Sequence, residues 1–185
     1  MLHPNTLDAR QAALVIIDVQ ESFRAAIPDF ADLAARIADA ARGAQLLNVP
    51  IVVTEQYSKG LGRTAEEIRA ALPADLEPVE KTAFSSCGAR EFVARLEAAG
   101  ARQILVCGIE AHVCVNQTTH DLLARGFQVH LLTDCVSSRS AQNKQAGLDK
   151  MLRSGALPST VELALFELMR DARHEQFKAV QKLIK

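Results

Sequence analysis

Short, wholly apolar runs alternate along this chain with longer stretches of helical spacing. Ala12 to Ile17 (AALVII) predicts a buried strand, and Phe30 to Leu47 places Leu33, Ile37, Ala40, Ala41, Ala44 and Leu47 on one helical face. Asn48 and Pro50 end that helix, and Ile51 to Thr54 is the next strand. Thr64 with Glu67 has the form of a capping box opening a short helix to about Ala71. Pro78 to Glu80 is a short third strand. A helix over Gly88 to Ala99 is closed by Gly100, and Gln103 to Cys107 is the fourth strand. Val113 to Ala124 is helical up to Gly126, Gln128 to Thr133 is a strand, and Gln142 to Leu152 is a helix ending near Gly155. Residues 156 to 161 predict a last short strand, Val161 to Met169 a helix, and the tail HEQFKAVQKLIK an amphipathic helix.

Strands that are apolar on both faces, each followed by a helix, predict a parallel sheet covered on both sides. The expected fold is α/β, a three-layer, doubly wound six-stranded sheet in the order 3-2-1-4-5-6, forming one domain over residues 1–185. In such a sheet a ligand sits beyond the carboxyl ends of the strands, where the strand order reverses. That crevice lies between the first strand, which runs into Asp18, and the fourth, which runs through Gly108 toward Cys114. The third strand leads to Lys81.

Cys114 falls at the predicted start of a helix, where free N–H groups and the helix dipole favour a thiolate. Its bland reading is a small packing residue. Asp18 alone reads as a turn cap, and Lys81 alone as a solvated lysine. Gathered at one crevice they acquire chemistry: a carboxylate can accept the thiol proton and a lysine can hold that carboxylate ionised. Cys87 also precedes a helix and competes as a nucleophile. Cys107 and Cys135 lie in or beside strands and read as packing.

Composition narrows the classes. Lys+Arg 21 against Asp+Glu 22 leaves a net charge of −1, which excludes nucleic-acid binding through a global positive field. Trp 0 and Tyr 1 leave little for base stacking. No apolar run approaches the ~20 residues of a membrane span, and MLHPNTLDARQ lacks a signal-peptide core. Four cysteines without a CxxC pair point to free thiols in a reducing, cytoplasmic setting. The stretch GLGRTA, residues 60–65, does not leave the first strand as a dinucleotide loop must, and reads as a flexible loop. His112 and His120 are too far apart to share an ion and His130 lies in a strand, so no metal site or cofactor is expected.

IIDVQESF, EKTAFS and GIEAHVCV, in that order and spacing, resemble the isochorismatase-like cysteine hydrolases. The likeness runs from about Ala12 to Leu183, and the stretch from Gly108 to Ser140 with the tail is similar to the isochorismatase domain-containing branch. The resemblance implies Asp18 as general base, Lys81 as its electrostatic partner and Cys114 as nucleophile. It implies a cis peptide between Ile109 and Glu110, and an oxyanion hole from the N–H groups of Glu110 and Cys114. The chain departs from the family in three places. VTEQYSKGLG lacks the Asp and His ligands of the family's metal-dependent nicotinamidases. The cysteine is present where isochorismatases proper tend to lack it. Ala111 replaces a frequent Thr.

The expected function is therefore cysteine-dependent hydrolysis of a small molecule at an amide-type C–N bond, through a thioester. Phe23, Gln56, Tyr57 and Phe84 follow strand ends or motif turns and are the expected substrate-binding residues. The rival from another class is a catalytically silent homo-oligomeric binding or scaffold protein on the same fold. Its last helix and tail would form a subunit interface. Either way the expected partners are a small molecule and further copies of the chain, not nucleic acid or a membrane.

Overall fold

The computed structural model describes residues 3–185; the first two residues of the N-terminal stretch read above lie outside the described residues. The strands are β1 (Ala12–Ile17), β2 (Ile51–Gln56), β3 (Val79–Lys81), β4 (Gln103–Gly108), β5 (Gln128–Val136) and β6 (Leu157–Ser159). All pair in parallel, in the order β3-β2-β1-β4-β5-β6. The helices are α1 (Phe30–Leu46), α2 (Ser58–Leu61), α3 (Glu66–Arg69), α4 (Arg90–Ala98), α5 (Asn116–Ala124), α6 (Ala141–Arg153), α7 (Val161–Met169) and α8 (Phe177–Leu183). The architecture is the expected α/β three-layer one.

Alternation along β1 divides the core. Leu14 and Ile16 join a cluster with α1, α7 and Val180 of α8, while Ala13, Val15 and Ile17 join one with α4, α5 and Met151 of α6. Every β1 residue is buried, so the run had to be apolar throughout. The tail folds back on the body, and the Phe177 ring meets Phe166 of α7 at 6.4 Å. Among the described residues no helix is long and apolar enough to cross a membrane.

Three local expectations change. Thr64 caps no helix: its hydroxyl and N–H both donate to buried Glu55 Oε1, at 2.8 and 2.7 Å, and α3 begins later, after Ala65. Glu67 is drawn outward to Arg24, which donates to both its oxygens. A buried carboxylate needs donors more than an exposed helix needs a cap. The GLGRTA stretch is partly ordered, with Gly60 and Leu61 inside α2 and Gly62 in a left-handed turn. Strand β5 also runs on to Val136, past a register shift opposite β4.

Candidate active site

Asp18 is the first residue past β1. Its backbone turns to a φ of 54°, and its N–H donates to the Thr54 carbonyl at 3.1 Å. The carboxylate, 1% exposed, is held on both oxygens. Thr54 Oγ1 donates to Oδ1 at 2.6 Å and Lys81 Nζ to Oδ2 at 2.6 Å. Lys81 ends β3 and is equally buried; its ammonium also reaches Gln56 Oε1 at 2.8 Å and the carbonyls of Phe84 and Ala83 at 3.0 and 3.2 Å. A buried ion pair repays its desolvation only when its remaining polar valences are satisfied, and here both partners are satisfied.

Cys114 comes from the other half of the sheet. After β4, the Ile109–Glu110 peptide is cis, and Ala111–Val115 form a π-helical turn ahead of α5. The N–H groups of Val113 and Val115 both donate to the Glu110 carbonyl, at 3.0 and 3.2 Å, which fixes the turn around Cys114. Two glycines allow the approach. A β-carbon on Gly108 (φ 122°) would land on the Ile17 carbonyl, so β4 meets β1 backbone to backbone beneath the site. A β-carbon on Gly147 of α6 would sit 2.7 Å from the Ala111 oxygen, so α6 backs the turn directly.

The thiol is not the activated thiolate that a helix N-terminus predicts. Cys114 lies inside the π turn rather than at the open end of α5, and it is 8% exposed. Burial first, and then the neighbouring Asp18 carboxylate, push its pKa up to about 12, against a smaller downward pull from Lys81. At neutral pH the thiol is protonated.

Around this centre, Arg139 donates through its N–H and Nε to Glu110 Oε1, at 3.0 and 2.9 Å. Burial alone would raise the Glu110 carboxyl; Arg139 outweighs it and holds the group below its usual range. His112 Nδ1 lies 3.1 Å from Ser138 Oγ. The expected substrate residues separate. Tyr57 and Phe84 are each 54% exposed, and each adjoins Lys81 through the backbone: the Tyr57 N–H donates to the Lys81 carbonyl at 2.9 Å. Gln56 is instead spent on the ion pair, accepting from Lys81 and donating from Nε2 to the Thr82 carbonyl at 2.7 Å. Phe23 packs against the α1-side core.

Cys87 is 8% exposed and set among Ser85, Asp121 and Arg125; burial first pushes it up to about 11. Cys107 donates to the Val15 carbonyl within the sheet, and burial pushes both it and Cys135 upward. Among the described residues no three His, Cys, Asp or Glu side chains gather as metal ligands would. Sequence reasoning missed Thr54, although a polar residue closing the apolar run IVVT at the strand end nearest Asp18 was the available signal.

The isochorismatase domain family matches residues 12–162, and the chain belongs to that family. Isochorismatase domain-containing protein 1 of Salmo salar is 41% identical over 168 residues, which is 91% of this chain and 59% of the relative. The chain thus spans about three fifths of that relative's length. A Caenorhabditis elegans structure described as MAR1 ribonuclease is 36% identical, with a TM-score of 0.89 over 97% of this chain and 92% of the other. The YcaC gene product of Escherichia coli, described as an octameric hydrolase of unknown specificity, shares the fold at 22% identity (TM-score 0.89, covering 100% and 91%). The chain therefore has an isochorismatase-like hydrolase fold.

Proposed function

We propose that this protein is a cysteine hydrolase that cleaves an amide-type C–N bond in a small molecule, with Asp18, Lys81 and Cys114 as its catalytic residues. One observation carries the reading: a buried carboxylate, paired with a lysine from another strand, faces a protonated thiol. In the first step the Cys114 proton passes to Asp18 while the sulfur bonds to the substrate carbonyl carbon. The N–H groups of Glu110 and Cys114 receive the developing oxyanion. The intermediate collapses, the C–N bond breaks, and Asp18 returns the proton to the departing amine, leaving a thioester. Asp18 then takes a proton from water, the hydroxide adds to the thioester carbonyl, and the expelled thiolate recovers that proton. Lys81 stays paired with the Asp18 carboxylate throughout. The scheme uses no cofactor. Tyr57 and Phe84 supply an apolar rim for the substrate.

The raised thiol supports general-base activation at the moment of attack rather than a standing thiolate. Intact-protein mass spectrometry after incubation with a library of small amides tests the proposal. The expected result is an acyl group on the Cys114 peptide, absent in Cys114→Ser and retained in Cys87→Ser. An acyl group on Cys87, or turnover that survives Cys114→Ser, overturns it.

A further inference from the structure

The acid of the proposed pair is tied to a chain of buried hydroxyls. Thr54 on β2, Ser86 in the turn after β3 and Thr118 on α5 are each 0% exposed. The Ser86 N–H donates to Thr118 Oγ1 at 2.9 Å. The Thr118 oxygen accepts there, and because the Ser86 and Thr54 protons are spent toward Asp18, the link to Ser86 Oγ at 3.3 Å is donated by Thr118. Ser86 Oγ in turn donates to Thr54 Oγ1 at 3.5 Å, the longest link, and Thr54 Oγ1 donates to Asp18 Oδ1 at 2.6 Å. The other end is equally committed, because a carboxylate paired with an ammonium only accepts. Three separate elements thus aim their protons one way, toward Asp18.

With Lys81 on one oxygen and Thr54 on the other, the plane of the carboxylate is set. Without such anchors the terminal torsion of an aspartate is broad. Thr118 follows Cys114 by four residues, so one continuous segment presents the thiol and begins the chain that orients its acceptor.

We propose that Thr54, Ser86 and Thr118 are positioning residues: a one-directional hydroxyl chain, begun four residues beyond the nucleophile, that holds the Asp18 carboxylate in the plane that meets the Cys114 thiol. The proposal rests on Asp18 being the base of the reaction above. Its test needs no substrate: the rate at which iodoacetamide alkylates Cys114 between pH 8 and 10, read by mass spectrometry of that peptide. The charge of Asp18 hinders ionisation of the thiol, so removing or misaligning the carboxylate speeds labelling, about tenfold for each pH unit of displacement.

Asp18→Asn is expected to label at least about tenfold faster, and Thr54→Val about threefold faster. Thr54→Ser, which restores the hydroxyl, is expected at the wild-type rate, a rescue that packing alone would not produce. Ser86→Ala is expected between wild type and Thr54→Val, and carries the test if Thr54→Val does not fold. Wild-type rates in Thr54→Val and Ser86→Ala, beside an accelerated Asp18→Asn, overturn the hydroxyl chain and leave Asp18 as the partner of the thiol. A Thr54→Ser rate equal to that of Thr54→Val overturns the chain as well. A wild-type rate in Asp18→Asn overturns the reading of the site itself.

Discussion

Cys87 and Cys114 are buried to the same extent, both sit in turns ahead of helices, and both thiols are raised, to about 11 and about 12. Exposure and local position do not separate them. Their company does. Cys87 looks onto Asp121, which is already taken by Ser85 Oγ at 2.6 Å, and onto the exposed Arg125. Cys114 faces a carboxylate whose countercharge is a lysine as deeply buried as itself. The difference between the two thiols therefore lies in their neighbours: a buried carboxylate paired with a buried lysine beside Cys114, and an exposed carboxylate and arginine beside Cys87.

The sharpest way to break that contrast is to remove the countercharge. Lys81→Met leaves the Asp18 carboxylate buried and unpaired, and should lower the free energy of unfolding by about 3–5 kcal/mol in a denaturant titration. Arg125→Met, beside Cys87 at an exposed position, should cost less than about 1 kcal/mol. Equal costs would mean that the two surroundings do not differ in kind. A smaller effect should come from Gly147→Ala, whose methyl presses on the Ala111–His112 backbone. Overpacking of this sort costs about 1–3 kcal/mol, and it should alter the labelling rate of Cys114 while leaving that of Cys87 unchanged.

The smallest effect is in pH. Both thiols ionise less readily folded than unfolded, where the ordinary value is 9.0. The folded state keeps its protons longer, so stability is intact below about pH 9 and falls as pH rises toward about 11 for Cys87 and about 12 for Cys114. In thermal melts, Cys114→Ser should flatten that decline more than Cys87→Ser, because its window is wider.

The sheet order was legible because short apolar runs alternate with helical stretches, and that order brings the carboxyl ends of β1 and β4, which lead to Asp18 and toward Cys114, side by side. The ionisation of Cys114 was not. It depends on a carboxylate brought from β1 and on burial by the opposite layer, neither of which is local to the helix whose dipole suggested a thiolate. Thr64 misled for the same reason: the capping pattern is local, while the demand of Glu55 for donors arises from β2. Gln56 looked like a ligand-facing residue, yet both ends of its amide are engaged in holding Lys81 and the following loop. The hydroxyl chain joins residues 54, 86 and 118, each 32 positions from the next and on a different element, far outside any helical or strand period.

Acid and lysine come wholly from one wing of the sheet, and the thiol from the other. The seam between the wings closes at Gly108, where there is no side chain to act as a cushion. The span between Asp18 and the turn that carries Cys114 is thereby set by main-chain dimensions, which repacking of side chains elsewhere changes little. Chemistry at this crevice should be retuned by changing its aromatic rim, whereas any attempt to widen it from below would first have to unzip the middle of the molecule.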